Sequence, residues 1–177
     1  AQLSVSSPTG EEVWRLDCGT DDLPAFPLDS SAHGIDGDGN LWLRDEPFSG
    51  NYRWGYVSGH SGNSGDPIDG TTRDVIYQTH RWGQTDMAYR VRLPNGLYRV
   101  KLLFAETTYG TAGSRIFDVA LEGVTVLDDH DVYSHVGADT ADEHVFGVTV
   151  TDEQLDVAFP EIQADNAMIS GIEVYAV

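Results

Sequence analysis

Lysine and cysteine are the residue types that this 177-residue chain has least of. Lys101 is the one lysine among ten basic residues, which face 29 acidic residues and give a net charge of −19. Such a surface repels nucleic acid and anionic membranes, so we expect neither as a partner. Because salt screens the self-repulsion of so much acid, the composition also suggests a marine or otherwise saline source.

With Cys18 as its single cysteine, the chain cannot form an internal disulfide. Its neighbours alternate in polarity, which predicts a small buried hydrophobe and not a catalytic thiol. No stretch approaches the roughly 18 apolar residues that a membrane span needs. The absence of a basic-then-apolar leader fits a processed chain or a module cut from a larger protein.

The composition, 40% hydrophobic and 22% charged, predicts one globular domain with a full core. Residues 1–12 are polar, so we expect a flexible N-terminal end followed by a domain over residues 13–177. Val100, Leu102 and Phe104 alternate with other residues, which predicts a strand with one buried face. Leu103 interrupts the polar face, so this strand should be central and covered on both sides.

Other alternating segments predict further strands between turn signals. They cover residues 13–18, 41–44, 75–82, 87–93, 116–121, 124–127, 145–150, 155–159 and 168–175. The sequence 94–96 (PNG) is typical of a β-hairpin between the strands that flank it. Residues 19–40 and 48–72 show no such pattern, and no amphipathic helix is predicted. The whole favours an all-β, antiparallel β-sandwich, jelly-roll-like or similar to galactose-binding lectins, with long binding loops at one end.

Five segments carry a resemblance to a known family. They are residues 77–82 (YQTHRW), 96–98 (GLY) leading into 104–106 (FAE), 115–119 (RIFDV), 131–137 (DVYSHVG) and 165–174 (DNAMISGIEV). In this combination the chain resembles the malectin-like carbohydrate-binding modules over about residues 13–177. The resemblance implies a non-catalytic β-sandwich that binds sugar at one end, appended to a secreted glycan-active enzyme.

The resemblance also implies site residues. Trp82 stands where the family has an aromatic after its Tyr-Gln-Thr-x-Arg motif, and Asp165 matches an acidic residue before the last strand. Thr108 and Tyr109 stand at the family's aromatic pair, and Thr108 halves the stacking surface there. A further ligand tyrosine belongs to the first Gly-rich loop. The candidate ligand-binding residues are therefore Trp82, Tyr109, Thr108, Asp165, Asn166, Arg81 and, for that loop, Tyr56, Trp54 or His60.

The residue types support a sugar site independently. A pyranose has an apolar face that stacks on flat aromatics and a rim of hydroxyls that carboxylates and amides can fix. Tyr109 belongs to a loop tip, where a large ring has no core to fill. The alternative for Trp82 and Trp54 is that they close the ends of the sandwich. For Glu106 and Asp118 we favour a structural role, in which their carboxylates accept backbone N–H groups and hold loops.

Two acidic segments raise the question of metal. Asp36, Asp38 and Asn40 resemble the opening of a calcium loop, although the motif lacks its glycine and its glutamate. A structural calcium ion there is one hypothesis, and a solvated turn is the other. The segment that contains His130 and His135 has no recognised ligand spacing, and we favour a cluster that braces the loop.

The sequence leaves three function classes open. The first is a monomeric, secreted or cell-surface module that binds a glucan or a related oligosaccharide or polysaccharide, with no catalytic residue and no required cofactor. The second is a protein-interaction or adhesion module, whose acidic surface would meet a basic partner. The third is a glycoside hydrolase, which would need two carboxylates across the bond.

Overall fold

The computed structural model describes residues 5–6, 12–20 and 32–177. Within these ranges the chain forms sixteen strands and two short helices. The strands are β1 (Val5–Ser6), β2 (Glu12–Asp17), β3 (Ala32–Ile35), β4 (Leu41–Arg44), β5 (Trp54–Tyr56), β6 (His60–Asn63), β7 (Thr79–Gly83), β8 (Ala88–Arg92), β9 (Gly96–Phe104), β10 (Ile116–Leu121), β11 (Val124–His130), β12 (Asp142–Val150), β13 (Gln154–Ala158), β14 (Ile162–Ala164), β15 (Ala167–Ile169) and β16 (Gly171–Ala176). The helices are α1 (Asp74–Tyr77) and α2 (Val132–Val136).

The described strands form three sheets. The largest has the order β12-β9-β16-β2-β4-β3, with β1 also paired to β2. The second has the order β11-β10-β13-β8-β5, with β14 also on β10, and the third is the small sheet β15-β7-β6. The strand pairs are antiparallel except β2 with β4. The predicted all-β, antiparallel architecture is confirmed.

The main core lies between the two larger sheets. Val100, Leu102 and Phe104 of β9 enter this core and are fully buried, together with Phe117 from the facing sheet. Leu103 points the other way, into a second apolar cluster that contains Trp42, Ile68, Ile76, Tyr77 and Ala105. The strand is therefore covered on both faces, as its sequence predicted. Cys18 is fully buried, again as predicted.

The predicted hairpin at residues 94–96 is wrong. β8 pairs with β13 and β5, whereas β9 pairs with β12 and β16, so the turn carries the chain from one sheet to the other. Asn95 accepts the backbone N–H of Glu153 at 2.7 Å, and the Tyr98 hydroxyl donates to the Pro94 carbonyl at 2.7 Å. Both sheets present the same alternation to the core, so the pattern cannot distinguish pairing from crossing over.

Several boundaries also differ. The predicted strand over residues 75–82 begins as the helical turn α1, and a helix of one turn is too short to show helical periodicity. The irregular stretch 48–72 contains β5 and β6, and β3 lies within residues 19–40. Residues 21–31 fall outside the described ranges. So does most of the predicted flexible end, of which Val5, Ser6 and Glu12 are described: Val5 and Ser6 pair with β2, and Glu12 begins β2.

Candidate functional site

The small sheet β15-β7-β6 displays the first aromatic of the candidate site. Along β7, His80 and Trp82 point to one face and Arg81 points to the other, as strand alternation requires. Trp82 is half-buried and lies opposite the exposed His60 of β6, with ring centroids 4.7 Å apart. This strand pair therefore presents a two-ring surface to solvent.

Gly62 lies directly over the His80 ring. A Cβ at Gly62 would lie 2.5 Å from Nε2 of His80, so a larger residue there would have to displace the imidazole. Burial and the nearby Arg115 guanidinium lower the pKa of His80 to about 4, so the ring is neutral at physiological pH. Among the described side chains, its Nδ1 has no hydrogen-bond partner.

Arg115 is the buried centre of the other half of the site. Its Nε donates to Glu106 at 2.7 Å, and its Nη1 lies 3.2 Å from the Asp165 carboxylate and donates to the Asn166 carbonyl at 3.1 Å. The guanidinium carbon lies 5.2 Å from the centroid of the Tyr109 ring. One ion-pair network therefore positions the loop tip after β9 and the turn before β15.

Glu106 holds the loop that carries Tyr109. Its buried carboxylate accepts the backbone N–H groups of Thr108 and Tyr109 at 3.0 and 3.1 Å and also the Arg115 guanidinium. Asp118 similarly accepts the Asp129 N–H at 2.9 Å. The predicted structural role of both carboxylates is confirmed.

Asp165 and Tyr109 meet at the solvent side of Arg115. Partial desolvation and the Asp165 carboxylate raise the pKa of the Tyr109 hydroxyl. Asp165 has a φ of 56°, in the left-handed region that non-glycine residues seldom adopt. Asn166 accepts a hydrogen bond from the exposed Gln84 and donates to Asp165 at 3.0 Å. The turn before β15 and the turn after β7 thus together offer a carboxylate and two amides beside the exposed rings.

Three predicted site residues lie elsewhere. Trp54 is 8% exposed and packs on Trp14 in the core, with ring centroids 5.8 Å apart, so it closes the sandwich and cannot stack on a ligand. Arg81 is 1% exposed and paired with Asp45 at 2.9 Å, because strand alternation turns it away from Trp82. Tyr56 lies against Arg81, with the guanidinium carbon 3.4 Å from the ring centroid.

The structure also describes two other predicted features, Thr108 and the acidic turn around Asp36. Thr108 is exposed beside Tyr109, and it offers a hydroxyl where the family resemblance implies a ring.

Asp36 accepts N–H groups from Asp38, Asn40 and Trp42, at 3.0, 2.8 and 2.7 Å, which is the geometry of a turn built around one carboxylate. The structural calcium ion stays a prediction.

Sequence reasoning missed His80, Arg115 and Gln84. Arg115 and His80 stand inside two of the segments that carry the family resemblance, but nothing in their spacing shows that they meet. Gln84 follows β7 at an exposed turn and carries no local signal. Gln84 reaches Asp165 and Asn166 because β7 pairs with β15, with Gly83 opposite Ala167. Arg115 reaches the same turn because β10 pairs with β14, with Ile116 opposite Ala164.

A β-sandwich with exposed rings, a carboxylate and amides at its strand ends defines a binding module. The malectin domain model matches residues 15–176, and the chain belongs to the malectin domain family. This family comprises non-catalytic domains of carbohydrate-binding or protein-interaction type. The carboxylates of Glu106 and Asp118, which a hydrolase could have used, are instead bound to loops.

The curated relatives match one segment of the chain. Malectin-B of Xenopus laevis is 30% identical over 84 residues, which are 47% of this chain and 30% of that protein. Human malectin is 31% identical over 84 residues, again 47% of this chain and 29% of the relative. The matched segment thus spans about a third of the length of those proteins.

Solved structures show the same fold. The Bacteroides uniformis beta-glucuronidase structure matches with a TM-score of 0.78 at 21% identity, over 93% of this chain and 18% of that one. The ANX2 ectodomain from Arabidopsis thaliana matches with a TM-score of 0.68 at 16% identity, over 95% of this chain and 51% of that one. Several such neighbours are extracellular domains. Among the described residues, no helix has the length and apolarity to cross a membrane.

Proposed function

We propose that this domain is a carbohydrate-binding module that takes a short glucan or a related oligosaccharide between Trp82 and Tyr109. The observation that carries the proposal is the Arg115 network. It fixes a half-exposed ring, Tyr109, and a carboxylate, Asp165, beside the strand pair that displays Trp82 and His60. Stacking on the rings, sugar hydroxyls that donate to the Asp165 carboxylate, and hydrogen bonds with the Asn166 amide are the interactions that a pyranose requires.

The site favours modest affinity. It is an open surface whose rings are only partly buried, so a bound sugar would lose little of its contact with water. The free energy gained from stacking and hydrogen bonds is partly offset by the entropy that the ligand loses when it is ordered on the surface. A module of this kind gains its effect when it is attached to another glycan-active domain, because linkage raises the local concentration of the sugar. We therefore propose that the domain targets a larger secreted enzyme to its polysaccharide.

A screen of α-glucans, β-glucans and galactans by glycan array or affinity gel tests the proposal. Trp82→Ala and Tyr109→Ala should each weaken the best ligand about tenfold or more, since an aromatic contact contributes about 1.5 kcal/mol. Phe48→Ala is the matched control, because Phe48 is also a half-exposed ring but lies over Arg92 of the second sheet. A folded protein that binds no glycan would instead favour a protein-interaction module.

A further inference from the structure

A second cluster of titratable side chains lies outside the Trp82–Tyr109 site. His130 ends β11, Asp142 and His144 point to the same face of β12, and His135 belongs to α2. The carboxylate of Asp142, a residue only 2% exposed, is at the centre. Its oxygens lie 2.9 Å from Nε2 of His130, 2.8 Å from Nδ1 of His135 and 3.0 Å from Nε2 of His144.

Hydrogen bonding does not satisfy every group in this cluster. His130 and His135 are hydrogen-bonded to Asp142, one to each carboxylate oxygen. Nε2 of His144 is buried and close to Asp142, but its N–H is not aligned with the oxygen, and among the described side chains it has no hydrogen-bond partner. Buried polar atoms are nearly always paired, so an imidazole nitrogen that lies beside a carboxylate without a hydrogen bond requires an explanation.

A bound metal ion would explain why Nε2 of His144 has no hydrogen-bond partner. The potential ligand atoms of His130, Asp142 and His144 all lie within 4.8 Å of one another. Tetrahedral zinc, with bonds of about 2.0–2.1 Å, places its ligand atoms about 3.3 Å apart, so modest side-chain shifts would close the site. We propose that His130, Asp142 and His144 bind a first-row transition-metal dication such as Zn²⁺.

The donor set selects the class of metal. Two imidazoles and a carboxylate suit Zn²⁺ and its neighbours in the first transition row. Ca²⁺ and Mg²⁺ prefer sites made wholly of oxygen, so this site discriminates against them. It is therefore separate from the calcium loop predicted around Asp36.

Aromatic side chains cover one side of the histidine cluster, and the other side faces solvent. The His130 ring packs against Phe104 and Phe117, with centroids 5.4 and 5.9 Å apart, which shields that side from water and fixes the ring. The His135 side chain is 56% exposed and stacks on the His144 ring at 5.3 Å. His135 thus lies at the solvent side, where a small movement of α2 would make it the fourth ligand.

Calorimetric titration of the metal-stripped, folded domain tests the proposal. Zn²⁺ should bind with a stoichiometry of one, Co²⁺ or Ni²⁺ should compete, and Ca²⁺ and Mg²⁺ should not. His144→Ala should weaken Zn²⁺ binding at least about tenfold. Asp128→Asn removes an exposed carboxylate two residues from His130 and should leave it unchanged, which separates ligation from general attraction to an acidic chain.

Histidine NMR signals of the unsubstituted protein give a readout that requires no variant. Zn²⁺ should shift the imidazole signals of His130, His135 and His144 and leave those of His60 and His80 in place. Absence of Zn²⁺ binding, equal binding by His144→Ala, or a shift confined to His60 and His80 would each overturn the proposal. The proposal does not depend on sugar binding.

Discussion

The tripeptide Arg-Trp-Gly occurs twice in the chain, at residues 53–55 and 81–83, with opposite outcomes. In β5 the tryptophan, Trp54, points into the core and is 8% exposed. In β7 the arginine, Arg81, points inward to Asp45, and Trp82 is left half-exposed on the other face. Strand alternation gives each tripeptide one inward and one outward side chain. The neighbouring side chains decide whether the arginine or the tryptophan points inward. The same ring is structural in one place and available to a ligand in the other.

The largest effect should follow from removing the inward ring. Trp54→Ala deletes a buried side chain that packs on Trp14 and donates to the Arg44 carbonyl at 3.1 Å. It should lower the free energy of unfolding by about 3–5 kcal/mol. Trp82→Ala should lower it by only about 1 kcal/mol. Urea denaturation of both variants measures the difference. Equal losses of stability would show that Trp54 and Trp82 do not differ in their structural role.

Next in size is a pH effect at His80, the inner neighbour of Trp82. Its pKa falls from 6.5 in the unfolded chain to about 4 in the fold, so the unfolded state binds the proton first. Stability from the neutral ring is therefore present above pH 6.5 and is lost as the pH falls towards 4, by up to about 3 kcal/mol. Over this window His80→Gln should lose less stability than the parent protein, as measured by thermal or urea unfolding. Parallel pH profiles would contradict the assignment.

A smaller effect should follow from crowding the same ring. Gly62→Ala places a methyl group against His80, 2.5 Å from Nε2, and should cost about 1–3 kcal/mol while displacing the surface beside Trp82. Gly65→Ala, where a Cβ would have no neighbour within 4 Å, is the control and should change stability by under about 0.5 kcal/mol. If Gly62→Ala is equally neutral, β6 does not pack on His80 as described.

The smallest effect concerns the Tyr109 hydroxyl. Tyr109→Phe keeps the ring over Arg115, so it should weaken sugar binding less than about threefold, whereas Tyr109→Ala should weaken it about tenfold. Titration of both variants with the same oligosaccharide separates stacking from hydrogen bonding. Equal losses would show that the hydroxyl, beside Asp165, makes the important contact.

The sequence predicted the fold class well, because alternation in β8, β9 and β13 reports directly which residues are buried. It predicted the strand pairing poorly, since residues 94–96 carry a hairpin signal yet connect two sheets. Trp82, Tyr109 and Asp165 were named from motifs. Arg115, which holds Tyr109 and Asp165 together, could not be assigned a role, because the turn that contains Asp165 and Asn166 is distant from it in sequence.

The histidine cluster shows the same limit. His130 and His135 stood out as neighbours in the chain, and Asp131 does brace that loop, accepting the N–H groups of Ser134 and Gly113 at 3.0 and 2.6 Å. Asp142 and His144 did not stand out, since they join the cluster only where β12 begins and α2 folds back. Sequence spacing reports side chains that one element brings together, and the members of this cluster come from three elements, β11, α2 and β12.

Tryptophan fluorescence during titration with the best glycan from the screen tests the central claim most directly. If Trp82 stacks on the sugar and Trp54 does not, the ligand-induced change should vanish in Trp82→Phe and persist in Trp54→Phe. A change that persists in Trp82→Phe, in protein that still binds the glycan, would contradict the account and place the sugar elsewhere on the domain.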